Sequence, residues 1–194
     1  MKEEYFMDGK VEPTNEGYAI AKITGMELCR MIASQFNQVF ISCLPTNIYG
    51  ENDNFDPKSS HVIPALIRKI HEAKVNQQKE VTVCGTGQAK REFMHVDDLA
   101  EACLFLMENF SAGDEATPFV NVGTGEDVSI KELVKMLVKV IGYEGKIIWD
   151  ASKPDGMPRK WLDVAKIHAL GWQHKITLEE GLHLAYTWYK EKGT

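Results

Sequence analysis

The segment Val39-Phe40-Ile41-Ser42-Cys43-Leu44, closed by Pro45, decides the fold class. It is apolar, rich in β-branched and aromatic residues, and too short for an ordinary helix, so it predicts a buried strand. Before it, residues 15–36 place Ile20, Ile23, Leu28, Met31 and Ile32 mostly at i, i+3, i+4 spacing, which predicts a helix. After it, residues 49–60 are rich in Gly, Asn, Asp, Pro and Ser and read as a loop. The alternation then continues. Helices are predicted over 60–74, 96–109, 129–141, 164–170 and 177–190, and strands over 80–84, 119–122 and 146–149. Ser129 with Glu132 three residues on has the form of a capping box. Asp97 or Asp98 lies where a carboxylate complements a helix dipole. Residues 1–14 read as an incoming loop, and 151–158 as a second irregular stretch. Strands alternating with helices predict an α/β architecture.

Composition narrows the function classes. The chain has 194 residues, 44% of them hydrophobic, with a formal net charge of −6. Apolar content this high argues against disorder. There is no basic surplus to displace counterions from phosphates, which argues against a nucleic-acid binder. No apolar run approaches the ~20 residues a helix needs to cross a bilayer, and the first residues lack the apolar core of a signal peptide. The four cysteines, Cys29, Cys43, Cys84 and Cys103, match no CxxC or zinc-knuckle spacing and read as small core residues in a reducing cytosol. No metal site is expected: His71, His95, His168, His174 and His183 show no ligand spacing, and Asp97-Asp98 reads as a helix start. Trp161, Trp172 and Trp188 read as core or interface aromatics.

The sharpest local feature is Tyr18-Ala19-Ile20-Ala21-Lys22. Residues four apart share a helix face. A nearby ammonium favours the phenolate and lowers a tyrosine pKa from its usual value of about 10. Such a tyrosine can protonate a carbonyl oxygen as hydride arrives. No GxGxxG or GxxGxxG is present. Gly85-Thr86-Gly87 and Gly123-Thr124-Gly125 both lack a third glycine.

Read in order, further motifs add to the YxxxK pair. They are Leu44-Pro45-Thr46-Asn47-Ile48-Tyr49-Gly50, Asp53-Asn54-Phe55, and Ser59-Ser60-His61-Val62-Ile63-Pro64-Ala65-Leu66. Then follow Arg91-Glu92-Phe93-Met94-His95-Val96-Asp97-Asp98, Asn121-Val122-Gly123-Thr124-Gly125 and Lys153-Pro154-Asp155-Gly156-Met157-Pro158-Arg159-Lys160. Together they closely resemble the GDP-L-fucose synthases, NADP-dependent epimerase-reductases of the extended short-chain dehydrogenase/reductase superfamily. The resemblance runs from about Lys2 to Trp188. YxxxK, PTNxYG and REFxHVDD are common to extended reductases, whereas SSHVIPAL and KPDGxPRK are specific to the fucose synthases.

The resemblance implies a partial NAD(P)-binding Rossmann fold, lacking its N-terminal βαβ half, joined to the C-terminal α/β substrate domain of such enzymes. On that reading residues 1–50 are the remainder of the Rossmann domain with the YxxxK helix. Residues 51–194 are mainly the substrate domain, with 96–125 returning to the Rossmann sheet. The implied activity is NADPH-dependent 3,5-epimerisation and 4-reduction of GDP-4-keto-6-deoxy-mannose, in a cytoplasmic homodimer without nucleic-acid or membrane partners. Tyr18 matches the proton donor, and Lys22 the residue that lowers its pKa and holds the nicotinamide ribose. Pro45, Thr46, Asn47 and Ile48 match a segment against the nicotinamide. His61 matches the acid/base of epimerisation and falls beside the cofactor. Lys69, Cys84, Arg91 and Asp155 match substrate contacts, with Cys84 where relatives often carry Trp.

Two departures stand out. The family's Gly-rich loop has no counterpart here, and neither do its catalytic serine and the cysteine that partners His61. The chain thus reads as the C-terminal portion of a synthase. The alternatives are a non-catalytic GDP-sugar-binding or oligomerisation fragment, and another extended reductase such as a 4-epimerase or 4,6-dehydratase.

Overall fold

A computed structural model describes residues 1–110 and 119–192. Of the 96–125 segment expected to return to the Rossmann sheet, residues 111–118 lie outside the described residues. The elements run α1 (Glu16–Phe36), β1 (Ser42–Pro45), β2 (Asn47–Tyr49), α2 (Val62–Val75), β3 (Glu80–Cys84), β4 (Lys90–Arg91), β5 (Phe93–His95) and α3 (Val96–Asn109). They continue with β6 (Phe119–Val122), β7 (Val128–Ser129), α4 (Ile130–Ile141), β8 (Lys146–Asp150), β9 (Arg159–Lys160), α5 (Ala165–Ala169) and α6 (Leu178–Lys192). Two short 3-10 turns, Glu3–Tyr5 and Pro13–Asn15, break up the expected incoming loop.

The architecture is α/β, and its pairings are mostly parallel. β1 pairs with β6, β2 with β5 and β3 with β8, all in parallel. A small three-stranded sheet in the order β7-β4-β9 combines an antiparallel and a parallel pairing. Parallel strands need crossovers, which the helices supply. Two apolar cores result. One gathers Ile63, Ile67 and Ile70 of α2 with Leu133, Leu137 and Ile141 of α4 and Leu182 of α6. The other gathers Met94, Leu106, Val120, Val122, Leu162, Ile167 and Trp172.

Local signals placed most elements. Ser129 Oγ accepts from the Glu132 amide at 3.1 Å while the Glu132 carboxylate accepts from the Ser129 amide at 2.8 Å, so the capping box is complete. Helix α4 ends at Gly142 with φ 69°, a left-handed cap that glycine adopts without steric penalty.

Other expectations need correction. The strand at Ser42–Pro45 starts later than the apolar run, and Val39 and Phe40 are exposed, because only residues 42–45 find partners in β6. No residue of α1 is buried, and Ile20, Leu28 and Met31 are exposed, since the described residues supply no layer over them. The cysteines are not all core residues: Cys84 is exposed, and of the three half-buried ones Cys43 packs against the second core. Burial, and then its neighbour Cys103, push the Cys43 thiol up to about 11, so it stays protonated at neutral pH. Of the tryptophans, Trp172 is buried, Trp188 stacks on Phe55, and Trp161 is exposed beneath the Arg159 guanidinium. Asp98 does more than face a helix dipole: its buried carboxylate accepts from the Lys175 and Ile176 amides.

The turns and strand ends around the small sheet are tied together at Glu92, a carboxylate with no exposed surface. Its Oε1 accepts from the amides of Thr124 at 2.7 Å and Gly125 at 2.9 Å, and its Oε2 from the Leu162 amide at 2.9 Å. Its backbone carbonyl accepts from Thr46 Oγ1 at 3.2 Å and Asn47 Nδ2 at 2.7 Å. A buried charge is tolerated when hydrogen bonds replace its water in this way. Gly123 is required beside it, because a Cβ there would run into the carboxylate. Glu92→Gln should destabilise the chain by about 1–3 kcal/mol, because an amide NH₂ then faces a backbone N–H. Urea unfolding measures this, and an unchanged midpoint would contradict the assignment.

Candidate active site

The candidate residues fall on two adjoining cavities. The first, about 950 Å³, is lined by Tyr18 and Lys22 of α1, by Pro45, Thr46, Asn47 and Ile48, and by His61. The second, about 490 Å³, is lined by Arg68 and Lys69 of α2, Cys84 of β3, Arg91 of β4 and Asp155. Asn47 and Val62 line both, so the cavities meet there. Volumes of this size suit small ligands and cofactors.

Each group is placed by its element. Tyr18 and Lys22 lie one turn apart on α1, with Lys22 Nζ 5.5 Å from the centroid of the Tyr18 ring. That is a cation–π contact, in which the ammonium rests over the ring. Tyr18 itself is 63% exposed on the cavity wall. His61 is the N-cap residue of α2 but its side chain makes no cap bond, which leaves the imidazole available to the cavity. The strand ends at 45–49 are held on one side by β6, where the Thr46 amide donates to the Val122 carbonyl at 3.0 Å. On the other they are held by the Glu92 carbonyl, which takes the Asn47 amide donor and so fixes that side chain.

In the second cavity Lys69 Nζ donates to the Thr82 carbonyl at 2.7 Å, and Arg91 Nη1 to the Lys90 carbonyl at 2.7 Å. Both keep further donors for a ligand. Asp155 is engaged within the protein: its oxygens accept from the Thr86 amide at 2.7 Å and Thr86 Oγ1 at 2.6 Å. These two glycine-flanked turns, 85–87 and 123–125, each spend amides on an internal carboxylate, Asp155 and Glu92 respectively. Neither turn therefore offers those amides to a phosphate.

Sequence reasoning missed Glu92, whose signal was a charged residue beside the apolar Phe93-Met94 in a strand. It also missed the buried His95. This ring has no exposed surface, packs edge-on against Tyr49 at 5.6 Å, and accepts from the Asp97 amide at Nδ1. Its Nε2 lies 3.3 Å from Glu51 Oε2. Glu51, His95 and Asp97 thus form a ligand-type cluster that the sequence spacing did not suggest. Nε2 is buried and makes no hydrogen bond among the described residues, so the short distance to Glu51 is a contact without hydrogen-bond geometry.

The Thr86 hydroxyl, and then its amide, hold the Asp155 carboxyl below the usual carboxylate range. A depressed carboxyl lends stability above its unfolded pKa and loses it as pH falls through the folded value. The 153–156 loop should therefore loosen from the 85–87 turn at acid pH. Thr86→Val should shift the Asp155 titration upward, as read by carboxyl NMR. A titration curve that does not move would refute the coupling.

Comparisons with known proteins agree with this layout. Residues 1–123 match the model of the NAD dependent epimerase/dehydratase family. A putative GDP-L-fucose synthase 2 of Arabidopsis thaliana is 51% identical over 189 residues, 97% of this chain and 56% of the relative. A GDP-L-fucose synthase of Escherichia coli K12 is 48% identical over 196 residues, 98% of this chain and 61% of the relative. The chain therefore spans little more than half the length of these curated relatives. Among solved structures, a GDP-L-fucose synthetase from Naegleria fowleri bound to NADP superposes with a TM-score of 0.89 at 27% identity, over all of this chain and 61% of that one. With the strand pairing, the YxxxK helix and this match in agreement, the chain belongs to the NAD dependent epimerase/dehydratase family.

Proposed function

We propose that this chain is the substrate-binding and YxxxK-bearing part of a GDP-L-fucose synthase. Such an enzyme converts GDP-4-keto-6-deoxy-mannose to GDP-L-fucose by 3,5-epimerisation and NADPH-dependent 4-reduction. The observation that carries this reading is the meeting of the two cavities at Asn47 and Val62, with Tyr18, Lys22 and His61 on one side and Lys69 and Arg91 on the other. The relatives named above support the same activity. On this reading residues 1–50, with 96–125, form the cofactor side and 51–194 mainly the substrate side. The enzyme would work in the cytoplasm as a homodimer.

The chemistry matches the residue types. The residues fit the nicotinamide end of NADPH: the strand ends at 45–48 form a wall and Lys22 supplies a donor for a ribose hydroxyl. The cofactor supplies hydride when bound. Tyr18 gives the proton that the new C4 alkoxide needs, with Lys22 one turn away on the same helix face. Protons flanking a ketone are acidic because the carbanion is an enolate. Epimerisation needs a base to remove such a proton and an acid to return one on the opposite face, and an imidazole such as that of His61, with one donor and one acceptor nitrogen, can serve. Lys69 and Arg91 meet the diphosphate, with the guanidinium able to bind it through two parallel bonds.

Two variants test the division of labour in the enzyme completed with its dinucleotide-binding half. Tyr18→Phe should abolish reduction yet preserve solvent deuterium exchange at C3 and C5 of the keto-sugar. Loss of exchange in a folded variant would show that the phenol serves both steps. His61→Ala should slow epimerisation by about 10²–10⁴-fold, the usual worth of a general acid or base, and release unepimerised reduced sugar. Chromatography of the products checks this. A stable His61→Ala enzyme making GDP-L-fucose at the parental rate would eliminate the histidine.

A further inference from the structure

The second cavity is cationic, yet two of its lining residues are acids, Glu72 and Asp155. Both Asp155 oxygens are already occupied by Thr86. Glu72 is different. Its Oε1 accepts from Arg68 Nε at 2.7 Å, and its Oε2 has no hydrogen-bond partner among the described residues. Arg68 is itself anchored, donating from Nη1 to the Phe55 carbonyl at 3.1 Å. The carboxylate is therefore oriented while keeping lone pairs free at a cavity wall.

An ionised carboxylate only accepts hydrogen bonds, so it repels a phosphate and calls for a donor on the ligand. Its place along α2 says which part of the ligand that is. Val62, at the helix start, also lines the first cavity. Glu72 lies ten residues on, about 15 Å along the axis at 1.5 Å per residue, with Lys69 between. This order places the sugar near Val62 and His61, the diphosphate near Lys69, and the base at Glu72. The Watson–Crick edge of guanine presents N1–H and N2–H₂ side by side, the donor pair a carboxylate accepts. Adenine turns a bare N1 acceptor to the same position, and uracil one N–H between two carbonyls.

Resting on the reading of this cavity as a GDP-sugar pocket, we infer that Glu72 reads the guanine base and is its specificity-determining residue, with Arg68 as the positioning residue that holds it. The N2 amine contributes one of the two bonds, so hypoxanthine, which lacks that amine, is accepted less well than guanine.

Calorimetric titration of the 194-residue chain with GDP, IDP and ADP tests this, in the parent and in Glu72→Gln. The parent should bind GDP about tenfold more tightly than IDP and far more tightly than ADP. Glu72→Gln should lower GDP affinity about ten- to a hundredfold, narrow the GDP-to-IDP ratio toward unity, and leave ADP unchanged or stronger because a negative charge has been removed. Equal losses for all three nucleotides would indicate a merely structural role and overturn the inference. So would a parent that binds GDP, IDP and ADP alike, or a variant that keeps the parental ratios. A parent chain that binds no GDP would instead bring down the GDP-sugar reading of the cavity, and the inference with it.

Discussion

The buried Glu92 carboxylate is the constraint on which the layout depends. It lies immediately after β4, the middle strand of the small β7-β4-β9 sheet, and its side chain accepts from backbone on both flanks. On one flank it fixes the turn that leads into β7, and on the other the Leu162 amide just after β9. Its carbonyl fixes Thr46 and Asn47, at the end of β1 and the start of β2. One residue thereby sets strands whose neighbours line both cavities. Arg91, one position before it, faces the second cavity, and Phe93, one position after, lines the first. Alternation along an extended chain turns Glu92 away from its two neighbours, and the break between β4 and β5 at Glu92 gives Arg91 and Phe93 different strand partners and different cavities.

The cavities are built from elements of different stiffness. Helix α2 packs Ile63, Ile67 and Ile70 into the first core and turns Arg68, Lys69 and Glu72 toward the second cavity. A helix whose apolar face is locked in a core is a rigid ruler, so the spacing between His61 and Glu72 is fixed by the backbone. The 153–156 loop, by contrast, is held through Asp155 and the 85–87 turn, contacts that water can reach.

The candidate residues could be picked out from residue order, because motifs such as YxxxK and SSHVIPAL carry their residue types at fixed local spacing. Tyr18, Lys22, residues 45–48 and His61 share one cavity, and Lys69, Cys84, Arg91 and Asp155 the other. What each contributes is a matter of chemistry, and there the structure adds detail the motifs lacked. Asp155 is spent on Thr86 rather than free for a ligand, and the Asn47 amide is oriented by a carbonyl forty-five residues away. Glu72 and Glu92 belonged to no recognised role, since a lone glutamate has no periodic signature.

The sequence by itself determined the helices α2, α3 and α4, the strands β3 and β6, and the capping box at Ser129, because helix period, strand composition and caps are local properties. The strands at 47–49, 90–91, 93–95, 128–129 and 159–160 were decided only by tertiary structure. Two or three residues carry too little pattern to be read, and these strands exist because partners distant in sequence take their hydrogen bonds. Burial followed the same rule. The apolar periodicity of α1 specified a helix but could not say what would cover it, since a side chain is buried by the neighbours that pack on it and not by its own spacing.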